Sequence, residues 1–337
     1  MLLRSVVTAI TAAAVATSRP LRSALRMAAP GAASPRFDGV ALAACLRTRA
    51  SGRQVEHYDE TDSTMLRAAA RLAERGGREA HGALVVADWQ TGGIGRRGRS
   101  WESGRAQNLL FSLVWSPPEL DDAPPAAVLA HMIQLNLAVS VAVVQACKAV
   151  GVTSARVKWP NDVWALERKL AGSLVNFDGG RAAVIGIGLN VNERCADADA
   201  GGGASGDGQP WRVQRVSVRE LLGSAEPVAR EPLLAGVCNE LEQLMDLPPE
   251  RFVTAYRQAD MLIGRAVRVH HVSREVRDPR DYDGTVLGVT PEGYLRVRHC
   301  NGESTLSGEE VSITPQDLGQ GQDVQPSARF GREQTES

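Results

Sequence analysis

Lysine is almost missing from this chain. Of its 38 basic residues only Lys148, Lys158 and Lys169 are lysines; all the others are arginine. A chain so poor in ammonium groups keeps one where a mobile point charge does what a planar guanidinium cannot. Lys158 and Lys169 therefore stand out, because each opens or closes a distinctive motif, whereas Lys148 falls near an expected helix end. Aromatic residues make up 4%, which leaves few faces for base stacking. A formal net charge of −1 gives no global attraction for nucleic acid or an anionic membrane. Paired cysteines are missing too. Cys45, Cys147, Cys195, Cys238 and Cys300 stand alone, with no CxxC spacing, so buried, reduced thiols are expected and neither a zinc site nor a disulfide frame. No metal-ligating set is read from the sequence.

Acid is absent from residues 1–37, which carry Arg4, Arg19, Arg22, Arg26 and Arg36 among Ala, Ser and Thr. That is the signature of an organelle transit peptide, for a mitochondrion or plastid. The apolar stretch from Val6 to Ala16 also fits a secretory h-region, and it is too short to span a bilayer. Met27 offers a second start that would yield a cytosolic form.

What is present is enough for a packed core: 337 residues, 43% hydrophobic and 23% charged. Two domains are expected. A small polar run, Thr61-Asp62-Ser63-Thr64, precedes an apolar stripe at Met65, Leu66, Ala69 and Leu72 and predicts an N-cap and helix ending at Gly76-Gly77. ALVVADW (83–89) and NLLFSLVW (108–115) predict strands. Residues 125–150 predict a long apolar helix. Short strands follow at 155–159, 170–177 and 182–190, then a low-complexity insertion at 199–209 and helices between 217 and 258. From 263 to 313 short alternating segments between Gly, Pro and Asp turns predict a small SH3-like β-barrel. The domain reading is a transit peptide at 1–37, a mixed α+β catalytic domain at 52–258, the SH3-like β-barrel at 263–315 and a disordered tail at 319–337.

Four motifs lie between the strands. Gly93-Ile94-Gly95-Arg96-Arg97-Gly98-Arg99-Ser100-Trp101 contains G-x-G-x-x-G, but no helix opens at its glycines, as a dinucleotide site requires. It reads instead as an anion-binding loop, with backbone N–H groups and forked arginine donors. Lys158-Trp159-Pro160-Asn161-Asp162 is a strand end turned by proline, a place where reactive groups are presented; Asp162 there is a candidate to orient or deprotonate an amine. Lys169-Leu170-Ala171-Gly172-Ser173-Leu174-Val175 begins a strand with a lysine able to reach a carboxylate or phosphate. Gly186-Ile187-Gly188-Leu189-Asn190-Val191-Asn192 has strand glycines that suggest close approach by a ligand. Each motif alone also fits an ordinary basic loop, turn, surface lysine or bulge.

Together, and in this order, they closely resemble the biotin protein ligases, or holocarboxylase synthetases, from about residue 50 to 315. The resemblance implies a mixed-sheet biotin/lipoate ligase catalytic domain, ATP and Mg2+ as cofactors, and biotin as substrate. It implies formation of biotinyl-5′-AMP and transfer of biotin to a lysine of a biotin carboxyl carrier domain of a carboxylase. By the same resemblance Ser63, Thr64 and Gln90 bind the ureido ring, Gly95 and Arg96 close over biotin and phosphate, and Lys169 bridges the two. Arg99, Trp101, Lys158, Asn161, Asp162 and Asn190 join Arg96 around the nucleotide, and Trp211 stacks on adenine. Lys169, Arg96 and Asp162 are the catalytic candidates. Ile94 departs from the family, which has arginine there, so one side-chain contact is missing. No helix-turn-helix precedes residue 52, so neither repression nor nucleic-acid binding is expected, and no membrane partner; monomer and homodimer both stay open. A lipoate or octanoate ligase or transferase is the alternative, against which KWPND, the arginine loop and the C-terminal strands speak. An arginine-loop nucleic-acid binder is the remote one.

Overall fold

The computed structural model describes residues 36–177, 180–195, 214–271, 280–308 and 311–315. All but the end of the expected transit peptide, the 199–209 insertion with Trp211 behind it, and the expected tail at 319–337 lie outside these residues.

Seven strands make a mixed sheet in the order β1-β2-β3-β7-β6-β5-β4: β1 (Gln54–Tyr58), β2 (Ala83–Ala87), β3 (Leu109–Trp115), β4 (Arg156–Lys158), β5 (Asp162–Ala165), β6 (Arg168–Phe177) and β7 (Ala183–Leu189). Only β1 and β2 run parallel; the remaining neighbours are antiparallel. Strands β2 and β3 are buried at every position, which is why they read as apolar runs, broken only by Ser112 in β3.

The expected helices are α2 (Thr64–Arg75), stopped at Gly76 with φ +78°, and α4 (Pro125–Ala149). Between them is a single turn, α3 (Gly77–Ala80). Helix α4 is long and apolar enough to cross a membrane by length and composition, but 56% of its most apolar window is buried inside the protein. It packs on α6 (Arg230–Met245) and on the sheet. Gly236 of α6 abuts Ala146 of α4, where even a Cβ would come to 3.2 Å; small residues let the two helices cross closely. Each fully buried Val or Leu here contributes about 1.5–3 kcal/mol relative to exposure. The short α5 (Val218–Leu221) carries a complete capping box, Ser217 with Glu220, and α7 (Pro249–Ala259) follows α6.

Besides α3, three elements were not expected from the sequence. Helix α1 (Gly39–Cys45) is capped by Asp38 and lies on α6. The turn after it is held by Glu242 of α6, whose carboxylate accepts from the backbone N–H groups of Arg49, Ala50 and Ser51 at 2.7–3.0 Å. Strand β1 is an edge strand with alternating exposure. Strand β5 follows directly on the KWPND turn, so this motif is the bend of a β4–β5 hairpin, with a cis Trp159–Pro160 bond.

The C-terminal segment forms a five-stranded antiparallel sheet, β11-β10-β9-β8-β12: β8 (Ala266–His271), β9 (Tyr282–Val289), β10 (Leu295–His299), β11 (Gly302–Leu306) and β12 (Val311–Pro315). Among the described residues no ladder joins β11 to β12, so the sheet is open where a closed barrel was expected. It is anchored to the larger sheet by Trp159, which is buried and donates from Nε1 to the Gly293 carbonyl at 3.0 Å.

Candidate active site

A cleft of about 1030 Å3, including its open mouth, lies where the ends of β4, β5 and β6 meet the N-terminus of α2. The structure brings eleven of the residues singled out from the sequence into its lining: Ser63, Thr64, Gln90, Gly95, Arg96, Arg99, Trp101, Lys158, Asn161, Asp162 and Lys169. Among the described residues that line it five are basic, Arg96, Arg97, Arg99, Lys158 and Lys169, and one, Asp162, carries a carboxylate. Basic side chains gathered in a cleft attract a polyanion.

The glycine-arginine loop is a small hairpin, not a helix opening. Gly95 N–H donates to the Arg99 carbonyl at 2.7 Å and Trp101 N–H to the Gly93 carbonyl at 2.9 Å, while Ile94 pairs with Ser100. Arg97 (φ +59°) and Gly98 (φ +72°) turn its tip. Ile94 is 42% exposed, so its apolar side chain does not disturb this backbone ladder. Arg96 ties the hairpin down. Its guanidinium donates to Asn161 Oδ1 at 3.1 Å and to the Gly308 carbonyl at 2.6 Å, and Arg97 reaches the same carbonyl at 2.9 Å. Gly308 and the cleft residue Ile313 belong to the C-terminal sheet region, a contribution the motifs did not reveal. Asn161 is itself clipped to β6: its Nδ2 donates to the Ser173 carbonyl, and Ser173 N–H returns a bond to the Asn161 carbonyl.

Trp101 runs back from the hairpin onto the sheet. Gly172 of β6 and Gly188 of β7 are directly opposite in register, and their bare backbones make the floor for its ring. A Cβ at Gly188 would lie inside the indole, and one at Gly172 would come to 3.2 Å from it. At Gly186 a Cβ would collide with the Met65 thioether. The close approach inferred from the strand glycines is thus made by the protein's own Trp101 and Met65.

Lys169 Nζ lies 2.8 Å from Asp162 Oδ1 and 5.5 Å from the Trp101 ring centroid. Burial works to raise the Asp162 pKa, but the charges of Lys169 and Lys158 outweigh it and hold the carboxyl below its ordinary range. Lys158 lies over the Trp164 ring. Burial pulls its pKa down to about 8; Asp162 opposes the shift, and Lys169 and Arg99 add to it. Asn190 does not face the cleft. It is buried behind Lys169, with Nδ2 directed at the Lys169 and Val216 carbonyls at 3.4 and 3.3 Å.

At the other end Ser63 is the N-cap residue of α2, yet its hydroxyl makes no capping bond and is buried without a partner. Gln90 Oε1 accepts from Thr64 N–H at 2.7 Å and lies 3.0 Å from Thr64 Oγ1. Trp101 Nε1 is likewise buried and unpartnered. Idle buried polar atoms around a cleft fit a ligand that carries matching groups. Ser112, beneath Thr64, was also missed; its only signal is being the one polar residue of the strand LLFSLVW. Outside the cleft His57, Asp59 and Asp88 place three potential ligand atoms within 4.8 Å, but Asp88 is already paired with the buried Arg230 at 2.8 Å.

Similarity to known proteins follows the same residues. A family model described as the Biotin/lipoate A/B protein ligase family matches residues 61–192. The bifunctional ligase/repressor BirA of Salmonella typhimurium is 40% identical over 250 residues, covering 72% of this chain and 70% of that protein. The biotin–[acetyl-CoA-carboxylase] ligase of Mycobacterium tuberculosis is 30% identical over 251 residues, covering 72% and 82%. The solved biotin protein ligase from Aquifex aeolicus in complex with biotin and ATP has the same fold, with a TM-score of 0.59 at 23% identity, covering 78% of this chain and 99% of that one. By fold, cleft and relatives, the chain belongs to the biotin protein ligase family.

Proposed function

We propose that this protein activates biotin with ATP and transfers it to a lysine of a carboxylase carrier domain. The observation that carries the reading is a single cleft with two unlike ends. One end gathers the basic side chains of Arg96, Arg97, Arg99, Lys158 and Lys169 beside Asp162, and the other holds Ser63, Thr64 and Gln90 with hydrogen-bonding capacity to spare. In the first step a biotin carboxylate oxygen attacks the α-phosphorus and pyrophosphate leaves. In the second the carrier amine attacks the acyl carbon of biotinyl-5′-AMP, loses its proton, and AMP leaves.

In this reading Lys169 draws the carboxylate and α-phosphate together, relieving their mutual repulsion. Arg96 and Arg99 hold phosphate oxygens, and Gly95 lets the hairpin backbone come close. Trp101 covers the acyl phosphate from water. Asn161 orients Arg96, and Asn190 supports Lys169 from behind. Asp162 receives or orients the incoming amine. Mg2+ is expected to arrive with the ATP phosphates, to which it supplies charge neutralisation. Asp162 is the one cleft carboxylate among the described residues able to meet it, a sparse donor set that suits a phosphate-borne ion better than a dedicated protein site. Trp211 is proposed to stack on adenine.

The catalytic unit is proposed to span 52–258, with 263–315 an SH3-like domain. Residues 1–37 are proposed to direct the chain to a plastid or mitochondrion, which a fluorescent fusion of residues 1–40 tests; cytosolic retention would refute it.

The direct test is pyrophosphate release from ATP by the purified protein with biotin and, separately, with lipoate or octanoate. Biotin-dependent release supports the reading. Release with lipoate or octanoate alone would move the protein to the lipoate branch, and release with none of them would refute the adenylation step.

A further inference from the structure

Ser112 sits in the middle of β3, where every neighbour is apolar, and it is 0% exposed. A hydroxyl buried there is unfavourable unless it is hydrogen-bonded. Its partner is Thr64 Oγ1 at 2.8 Å. Ser112 stands opposite Gly186 in register, on the sheet face that lies beneath α2 and the polar end of the cleft.

The direction of the bonds follows from counting protons. Thr64 N–H can only donate, so the end of Gln90 facing it is the oxygen, Oε1. That oxygen also lies within reach of the Thr64 hydroxyl proton at 3.0 Å. With its own proton committed to Gln90, Thr64 Oγ1 is left as an acceptor, and the Ser112 proton fills one of its two lone pairs. The chain then runs one way, from Ser112 to Thr64 to Gln90. Toward the cleft Thr64 presents its remaining lone pair, Gln90 presents Nε2–H, and Ser63 Oγ stays open to either role.

We propose that Ser112 is a specificity-determining positioning residue. By donating to Thr64 it fixes Thr64 as an acceptor toward the ligand, and so selects an acid whose ring carries an N–H beside a carbonyl, the cyclic urea of biotin. The inference rests on the biotin-activating reading above. A ring without an N–H would leave the Thr64 lone pair unmatched in a buried site, an unfavourable arrangement that gives strong discrimination.

The test is a kinetic series on the full chain: parent, Ser112→Cys, Ser112→Ala, Thr64→Val and the double variant Ser112→Ala/Thr64→Val. Pyrophosphate release is measured against biotin and against ATP. The expected result is a biotin KM raised about tenfold in Ser112→Ala and by less in Ser112→Cys, which keeps a weak donor. The kcat and the ATP KM should stay within about twofold. The double variant should be no worse than Thr64→Val, because Ser112 acts through Thr64. An unmoved biotin KM in Ser112→Ala, effects that multiply in the double variant, or equal damage to the ATP KM would each overturn the proposal. If Ser112→Ala does not fold, Ser112→Cys decides: a severalfold rise in biotin KM alone supports it, and no rise refutes it. A parent protein that releases no pyrophosphate with biotin would defeat the functional reading itself and is told apart by the first lane of the series.

Discussion

Lys169 and Asp162 form an ion pair in the wall of the cleft, Nζ to Oδ1 at 2.8 Å, with the Trp101 ring closing over the ammonium. The space is small: a Cβ placed at Gly172 would lie 3.2 Å from Lys169 Nζ and 3.3 Å from Asp162 Oδ1. A compact ammonium fits there, and a guanidinium does not fit without displacing Trp101 or Asp162. Lys169→Arg is therefore expected to lower biotin-dependent pyrophosphate release by about 100-fold or more, the usual scale for losing one transition-state charge contact. Transfer from supplied biotinyl-5′-AMP to a carrier domain should fall less. A variant that keeps most of its adenylation rate would refute the point-charge argument.

Arg96 joins three parts of the chain: its own hairpin, Asn161 of the KWPND turn, and the Gly308 carbonyl. Arg96→Gly removes the tether to Asn161 and one of two to Gly308, leaving only that of Arg97, and so loosens the hairpin. The adenylate should then escape before a carrier arrives. The measurement is biotin labelling of a bystander protein without a carrier domain, expected to rise about tenfold or more over the parent, a loss of retention of roughly 1.4 kcal/mol. Labelling equal to the parent would mean that Arg96 does not retain the intermediate.

Lys158 gives a pH-dependent prediction. Burial lowers its pKa from 10.5 to about 8 in the free cleft. The sign follows: native protein holds fewer protons than unfolded protein between about pH 8 and 10.5, so this group's contribution to stability rises with pH across that window. An anion bound beside it reverses the shift. At pH 8 about half of the Lys158 ammonium is deprotonated, so nucleotide binding should take up about half a proton per site. Calorimetry in two buffers of different ionisation enthalpy measures this uptake, and Lys158→Met should abolish it. Binding without proton uptake would place the phosphates away from Lys158.

Much of the site was legible because its motifs consist of residue types with few other uses at those positions: three arginines among glycines, and two of only three lysines. What brings them together is β3, β6 and β7, whose apolar runs were also legible. The missed elements are short or edge structures held from outside. Strand β5 is four residues long, β1 has an exposed face, and α1 depends on Asp38 and on α6. Gly186 and Gly188 signalled close approach, but no spacing rule says whether ligand, Trp101 or Met65 does the approaching. Ser112 was visible as an oddity; its partner lies 48 positions away and emerges only when α2 is laid across the sheet.

Two histidines oppose acidification of the native protein. His81 and His131 flank Trp115 at the end of β3. Ser116 N–H donates to His81 Nδ1 at 3.1 Å, and Trp115 Nε1 donates to His131 Nε2 at 2.9 Å, so both rings serve as acceptors and are held neutral. Burial is the main cause that lowers both pKa values below the ordinary 6.5, with Glu119 working the other way at each ring. Above about pH 6.5 both states are neutral and nothing is lost. As pH falls below it the unfolded chain takes up protons that the native rings refuse, and stability declines. The two rings should therefore lower the melting temperature between pH 7 and 5, an effect opposed by Asp260, whose carboxyl burial raises to about 6, whereas Glu242, where burial is outweighed by the backbone donors of Ser51, Arg49 and Ala50, is held below 4.5 and titrates later. His131→Gln keeps an acceptor for Trp115 without a titrating group. It should flatten part of that decline while leaving the melting temperature at pH 7.5 within about 2 °C, the shift expected for well under 1 kcal/mol in a chain of this size. An unchanged slope in His131→Gln would remove His131 from the acid response.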